Sequence, residues 1–217
     1  MKYLYYSQKD NFTHNIFDNV THLVFENIFN KQLPVMSDSI INLTFGTYFN
    51  QTINSKLPNN LECLTFVSDS KFNQPIDNLP QTLLCITFGN NFNQSIDNLP
   101  NSIKYLDLSS VNNFNYEIKK LPTNLVELIF GNNFNNDIQN FPNTLETIVF
   151  GVNFRRDLNN LPIYLTDLTI NVNYFEKNNM MLRNLPPNLK KIKIHEWTDK
   201  YVEVFNKVPY DCTIIKL

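Results

Sequence analysis

A proline-anchored motif recurs along nearly the whole chain. Residues 72–80 read FNQPIDNLP and residues 92–100 read FNQSIDNLP. Apolar residues follow the anchor at the third, sixth and eighth positions, as Leu83, Ile86 and Phe88 follow Pro80. The same spacing follows eight prolines: Pro58, Pro80, Pro100, Pro122, Pro142, Pro162, Pro186 and Pro209. A period of about 20 to 24 residues predicts a repeat architecture, in which each unit buries its apolar side chains only by stacking on its neighbours.

Each repeat reads as one short strand followed by a return segment. The run L-x-x-L-x-F alternates apolar and polar residues, as a strand with one buried face does. Parallel strands cannot be joined by hairpins, so the remaining residues must carry the chain back to the start of the next strand. We therefore predict a β-rich solenoid, a right-handed coil of about eleven short parallel strands with mostly non-helical returns.

The solenoid is predicted to occupy residues 1–217 as one domain. Residues 1–19 form an N-terminal partial repeat, and residues 176–217 form the C-terminal capping repeats. Within the cap, Trp197, Tyr201, Val204 and Phe205 recur at helical spacing, which predicts a short C-terminal helix.

An F-N pair follows the strand in most repeats and suggests a second structural element. The column consists of Asn30, Asn50, Asn73, Asn93, Asn115 and Asn135. Because each asparagine adjoins a core phenylalanine, we expect burial and a ladder of amides that bridges successive repeats. The alternative is that these asparagines are turn residues that tolerate a left-handed conformation.

Glycine and cysteine each occupy repeated positions. All four glycines follow the last strand residue, which requires either a positive φ or a close approach of the neighbouring repeat. Cys63 and Cys85 hold one position in successive repeats. Their spacing permits a disulfide, but direct neighbours in a parallel sheet orient poorly for one. We therefore expect free thiols in a reducing compartment, which favours a cytoplasmic location.

Charge and hydropathy argue against two classes of partner. The net charge is −2, which gives no broad basic surface for nucleic acid. No apolar run is long enough to span a membrane, and the N-terminal residues lack the apolar core of a signal peptide. We expect a monomer that binds neither nucleic acid nor membrane.

The outward strand positions are the best candidates for a functional surface. No catalytic or phosphate-binding motif is present, and the three histidines lie in distant repeats, so we expect no enzyme activity, metal or cofactor. The outward side chains instead vary between repeats, as a partner-binding face requires. These residues are Thr87, Tyr105, Asp107, Glu127, Ile129, Thr147, Val149 and Asp167. Return-side positions such as Asp97, Asn98, Gln139 and Asn140 are expected to serve solvation alone.

The motif L-x-x-L-x-F-G-x-x-F-N-x-x-I-x-x-L-P resembles the FNIP repeat, a relative of the leucine-rich repeat. FNQPI at residues 72–76 is close to the sequence that gives the family its name. The resemblance implies a leucine-rich-repeat-like fold, an origin in amoebae or their giant viruses, and a role in protein binding. If the chain is viral, it implies a host protein as partner and the host cytoplasm as location.

Four functions are compatible with such a solenoid. We favour a non-catalytic scaffold that binds a protein partner on its strand face over a structural or degenerate repeat without a partner. Many FNIP proteins resemble ubiquitin-ligase adaptors because an F-box precedes their repeats. Here the repeats begin by Leu4, which leaves no room for an F-box and disfavours that role. Asp107, Glu127 and Asp167 allow a solenoid glycosidase or lyase, but a solvated acidic face is the better interpretation.

Overall fold

The computed structural model describes residues 2–7, 17–53, 57–114, 116–171, 184–196 and 208–217. These residues form one parallel sheet in which each strand pairs with the next along the chain. The strands are β1 (Tyr3–Tyr6), β2 (His22–Phe25), β3 (Asn42–Phe45), β4 (Cys63–Phe66), β5 (Cys85–Thr87), β6 (Tyr105–Asp107), β7 (Glu127–Ile129), β8 (Thr147–Val149), β9 (Asp167–Asn171), β10 (Lys191–His195) and β11 (Thr213–Lys216). The predicted leucine-rich-repeat-like solenoid of eleven strands is confirmed.

The returns contain no helix in the part of the chain that the structure describes. The helix predicted around Trp197 and Tyr201 lies outside the described residues. Strand alternation follows the sequence pattern, because the second strand residue is buried while the first and third remain half-buried in β5 to β8. The sheet therefore presents one face to the core and one continuous face outward.

Two columns of phenylalanine rings fill the interior. Within a repeat, the ring at the strand end stacks on the ring of the F-N pair, with centroids 3.8–4.3 Å apart. Between successive repeats the centroids of like rings lie 5.2–6.4 Å apart. Leu108 takes the place of a ring in the strand-end column, and it is also fully buried. Stacked aromatic pairs stabilise beyond the area that they bury, so these columns couple each repeat to the next.

Each anchor proline begins a β-turn that leads into the strand. The carbonyl of Pro80 accepts the N–H of Leu83 at 3.1 Å, and Leu83 then enters the core. The next two N–H groups, from Leu84 and Cys85, both donate to the carbonyl of Glu62 in the preceding repeat, at 2.7 and 3.0 Å. The proline thus sets the corner at which the return ends and pairing with the neighbouring repeat begins.

The last repeat departs from the predicted spacing. The pattern after Pro209 predicts that Ile215 occupies the inward position, but β10 pairs Ile192 with Ile214, and Ile214 packs against the core. The turn from Pro209 to Cys212 is kept, with an N–H to carbonyl distance of 3.1 Å. One residue between this turn and the strand is missing compared with the preceding repeat. The predicted register is therefore wrong by one residue in β11.

The prediction of free thiols at Cys63 and Cys85 is wrong. The two residues are direct partners in β4 and β5, their Cα atoms lie 4.7 Å apart, and their sulfurs form a disulfide. Both side chains leave the same outward face at the same register, and the Cα separation falls within the range that disulfides use. Cys212 is a free cysteine.

Candidate functional site

The strand face consists of the outward side chains of β5 to β9, and all of those predicted as partner-binding lie on it. One column places Tyr105, Glu127, Thr147 and Asp167 side by side, and the other places Thr87, Asp107, Ile129 and Val149 side by side. All eight side chains are half-buried. Adjacent strands lie about 4.8 Å apart, so the strand face is a nearly continuous patch of varied chemistry.

Tyr105 and Asp107 are joined by a hydrogen bond on the strand face. The Tyr105 hydroxyl donates to Asp107 Oδ2 at 3.2 Å, and Asp107 Oδ1 accepts the N–H of Ser109 at 2.8 Å. Burial, the Asp107 charge and hydrogen bond, and the Glu127 charge raise the pKa of Tyr105 to about 12. The phenol therefore stays mostly protonated even somewhat above pH 10, and the two hydrogen bonds hold the Asp107 carboxylate in a fixed orientation.

Asp167, at the far end of the strand face, also has close partners. Its Oδ1 lies 3.6 Å from Lys191 Nζ, and its Oδ2 accepts the Thr166 hydroxyl at 3.0 Å. The Lys191 side chain is half-exposed, so this ion pair contributes little to stability. It does offset the charge of Asp167, which leaves Asp107 and Glu127 as the acidic centre of the strand face.

Two grooves border the strand face, and the sequence analysis did not identify them. At the start of the strands, a groove of about 830 Å³ is lined by residues that include Lys104, Val126, Glu146, Tyr164 and Lys190. Four of these five residues immediately precede a strand. The repeated motif therefore places them in equivalent positions of their repeats, which is a signal from which this groove could have been predicted.

The second groove lies at the ends of the strands. It measures about 360 Å³, and its lining includes Ile129, Val149, Val152, His195 and Glu196. Ile129 and Val149 therefore belong both to the strand face and to this groove, which extends the candidate surface beyond the C-terminal ends of the strands.

The F-N asparagines join successive repeats through hydrogen bonds. The Oδ1 atom of one asparagine accepts the backbone N–H of the corresponding residue in the next repeat: Asn30 to Asn50, Asn50 to Asn73, and Asn73 to Asn93 at 2.9 Å, and Asn135 to Arg155 at 2.8 Å. Asn115 lies outside the described residues. The glutamine of the FNQ sequence adds a donor, since Gln94 Nε2 lies 3.0 Å from Asn73 Oδ1.

The burial expected for these asparagines is wrong. Asn30 and Asn73 are exposed, and Asn50, Asn93 and Asn135 are half-buried. The phenylalanine beside each asparagine points inward, whereas the amide lies along the outer edge of the stack. Adjacency to a core residue therefore does not bury the next side chain when the backbone is extended.

Replacement of Asn73 by alanine is expected to lower the free energy of unfolding by about 0.5–1.5 kcal/mol, because two donors of the next repeat lose their acceptor. Chemical denaturation measures this change. Asn78→Ala is the matched control, since Asn78 is an exposed turn residue of the same repeat. Equal denaturation midpoints for the two variants would show that the asparagine hydrogen bonds add no stability.

A ladder of hydroxyl groups also links the repeats. Where Ser or Thr stands two positions after the anchor proline, its hydroxyl donates to a carbonyl of the preceding repeat: Thr82 to Leu61 at 2.8 Å, Ser102 to Leu83 at 2.7 Å, and Thr144 to Leu125 at 2.7 Å. The recurrence of Ser or Thr at this position was the signal that the sequence analysis missed.

The return side is not a purely solvating surface as predicted. Asp97 Oδ1 accepts the backbone N–H groups of Lys119 and Lys120 at 2.9 and 3.2 Å, and Asn98 Nδ2 donates to Asp77 Oδ1 at 2.8 Å. Asp97 and Asn98 therefore help to hold repeats together, because the return segments of adjacent repeats lie side by side. Gln139 and Asn140 are exposed.

Within the described ranges, no three His, Cys, Asp or Glu side chains form a group that could hold a metal ion. Those ranges also contain no helix long and apolar enough to cross a membrane.

The fold and its repeated motif define a leucine-rich-repeat-like solenoid. The FNIP repeat family model matches residues 29–69, 72–110 and 114–153, which is more than half of the chain. The chain belongs to the FNIP repeat family, and the resemblance predicted from the motif is confirmed.

The solved structures that match this chain include CroV588 and YopM. The crystal structure of CroV588, described as a novel circular LRR protein, is 37% identical, with a TM-score of 0.80 over 99% of this chain and 33% of that chain. YopM from Yersinia enterocolitica WA-314 is 20% identical, with a TM-score of 0.49 over 91% of this chain and 44% of that chain. The chain thus spans about a third of the length of CroV588. No curated protein shows significant sequence similarity to it.

Proposed function

We propose that this chain is a non-catalytic scaffold that binds a protein partner through the strand face. The observation that carries this proposal is the contrast between the two sides of one sheet. The inward residues of β5 to β8 are uniformly Ile or Leu, whereas the outward residues include Thr, Tyr, Asp, Glu, Ile and Val. A constant scaffold with a variable face is the arrangement by which repeat proteins recognise particular partners.

The chemistry of the strand face favours a partner with basic side chains around an apolar centre. Tyr105 is paired with Glu127, and Asp107 is paired with Ile129, so each apolar group adjoins a carboxylate. Aromatic and apolar groups commonly supply most of the binding energy at an interface, and charges at the edge speed association and select the partner. A complementary partner would place an apolar side chain near Tyr105 and Ile129, with Lys or Arg beside Asp107 and Glu127.

The contacts of the carboxylates argue against the glycosidase or lyase alternative. Catalysis of that kind needs two carboxylates facing one substrate bond, about 5–9.5 Å apart. Both oxygens of Asp107 have protein partners, and Asp167 contacts Lys191 and Thr166. Asp167 is also two strands away from Glu127, with β8 between them. This arrangement fits an acidic recognition surface better than an acid–base pair.

A comparison of two double variants tests the proposed surface. Tyr105→Ala with Ile129→Thr removes the apolar centre while keeping a β-branched residue in β7. The control, Gln139→Lys with Asn140→Lys, changes exposed return-side residues. Each protein is used to capture partners from amoebal lysate, and a partner captured by the wild type is then purified and titrated against all three proteins.

We expect the strand-face variant to keep its fold by circular dichroism and to bind the purified partner at least about tenfold more weakly, since interface anchors cost more than about 1 kcal/mol each when truncated. The control should bind like the wild type. Weakened binding by the control together with unchanged binding by the strand-face variant would assign the interaction to the return side. Failure of the wild type to retain any partner in titration would favour a structural repeat protein.

A further inference from the structure

We propose that Cys63 and Cys85 form a reversible thiol–disulfide exchange site whose co-reactants are low-molecular-weight thiols and disulfides such as glutathione. Neither cysteine is among the predicted partner-binding residues, although Cys85 lies beside Tyr105 on the strand face, and the proposal does not rest on the scaffold function. Three features carry the proposal: the position of the sulfurs on the outward face, the backbone bonds and buried side chains that also hold the two strands together, and the proximity that the sheet imposes on the two thiols.

The bridge occupies an accessible position. Cys63 and Cys85 are the first residues of β4 and β5, and both are half-buried on the outward side of the sheet. Asn42 precedes Cys63 in the same column and Tyr105 follows Cys85, and both of these neighbours are also half-buried. A small thiolate can therefore approach either sulfur without unfolding of the core. Structural disulfides that stabilise small domains are commonly enclosed, whereas exposed ones are the labile and regulatory ones.

Backbone hydrogen bonds and buried side chains also hold the two strands together around the bridge. Leu64 and Ile86, the next residues in each strand, are fully buried. The N–H groups of Cys63 and Cys85 donate at 3.0 Å to the carbonyls of Ile41 and Glu62, which keeps both strands in register through backbone bonds. The Sγ atom of Cys85 also lies 3.6 Å from the carbonyl oxygen of Glu62, where a reduced thiol can donate a hydrogen bond. Both redox states therefore suit the same backbone.

The chemistry proceeds by two exchange steps. One small thiolate attacks Sγ of either cysteine, which forms a mixed disulfide and releases the other cysteine as a thiolate. A second small thiol then attacks the mixed disulfide, so the chain gains two thiols and the two small thiols leave joined as one disulfide. In the reverse direction, the sheet holds the free cysteine beside the mixed disulfide, with a Cα separation of 4.7 Å. Closure of the Cys63–Cys85 disulfide is then intramolecular, so the mixed disulfide does not accumulate.

Cys212 provides an internal contrast. It is half-buried at the entrance to β11, and burial raises the pKa of its thiol. A raised pKa lowers the thiolate fraction near pH 7 and slows exchange. Cys212 is the free cysteine, without the adjacent thiol that closes a disulfide.

The test uses full-length protein with Cys212→Ser, so that only the pair contributes thiols. The protein is equilibrated with mixtures of reduced and oxidised glutathione, quenched with an alkylating reagent and weighed by mass spectrometry. We expect the population to pass directly from zero to two alkylated cysteines as the mixture becomes more reducing, with an unchanged far-ultraviolet circular dichroism spectrum. With Cys85→Ser added, Cys63 should retain about tenfold more glutathione than in the protein with both cysteines, because no neighbour displaces it.

A second measurement reports the adjacency of the reduced thiols. Phenylarsine oxide, a trivalent arsenical that forms two bonds to sulfur, should bind the reduced pair at one equivalent. It should not protect Cys63 from alkylation when Cys85 is replaced by serine. The proposal would be overturned if the disulfide were reduced only in denaturant. It would also be overturned if both cysteines were still free to be alkylated after equilibration with oxidised glutathione. A singly glutathionylated wild-type pair as the main product would do the same.

Discussion

Replacement of Phe92 by alanine is expected to lower the free energy of unfolding by about 3–5 kcal/mol, the cost of removing a large aromatic side chain from a packed core. Phe92 is 1% exposed, and its ring stacks on Phe88 at a centroid distance of 3.8 Å. It also continues the column between Phe72 and Phe114, at 6.3 and 6.4 Å. A cavity at this position therefore removes contacts within one repeat and across both of its interfaces.

Two further variants isolate the contribution of the ring. Phe92→Leu retains an apolar side chain, as Leu108 does in the neighbouring column, and should cost clearly less than the alanine substitution. Tyr116→Ala removes an aromatic side chain that is 42% exposed and should change the denaturation midpoint little. If Phe92→Ala and Tyr116→Ala denature alike, the ring columns do not hold the repeats together.

Repetition explains why most of the fold could be predicted from the sequence. Leu83, Ile86 and Phe88 are all fully buried, at the third, sixth and eighth positions after Pro80. The same buried spacing recurs in the repeats on either side. Because each repeat contacts mainly its neighbours, a local pattern that recurs is also a description of the tertiary packing. Chain order then gives strand order directly.

Two predictions, the register of β11 and the free thiols, are wrong where the repeated local pattern does not determine the packing. β11 has one residue fewer between its turn and its strand than β10 has. Among the described strands it pairs only with β10, whereas β2 to β10 each pair on both sides. The disulfide was missed because its formation depends on the direction of two Cβ bonds in a twisted sheet. Sequence spacing placed Cys63 and Cys85 side by side, but it could not supply that angle.

The sequence predicted which side chains face outward on the candidate surface, but not the hydrogen bonds or the grooves that they form. Alternation placed Tyr105 and Asp107 outward, because the side-chain period of a strand is two residues. The hydrogen bond between them and the two bordering grooves depend on rotamers and on side-chain height across several repeats. Tyr164 contributes to the larger of these two grooves although it lies one residue before an inward leucine, at a position to which the repeat pattern assigned no role.

Replacement of Gly131 by alanine is expected to destabilise the protein by about 1–3 kcal/mol, through overpacking rather than backbone strain. None of the described glycines has a positive φ, so the close-approach alternative applies. A Cβ atom on Gly131 would overlap the carbonyl oxygen of Val111 and would lie 2.8 Å from that of Leu108. Both atoms belong to the backbone of the preceding repeat, so relief requires a shift between repeats. That shift would disturb the Phe130–Phe134 stack, whose centroids lie 3.9 Å apart.

Ser109→Ala is the matched control, because Ser109 follows the strand-end Leu108 as Gly131 follows Phe130. Ser109 is exposed, and its repeat has two additional residues before the F-N phenylalanine. A Gly→Ala change in an unstrained site normally stabilises by about 0.4–1 kcal/mol, since the unfolded chain loses freedom. The sign of the effect therefore separates the two explanations. Thermal denaturation of Gly131→Ala at or above the wild-type midpoint would show that the repeats have room for a methyl group, and the repeated glycine would need another explanation.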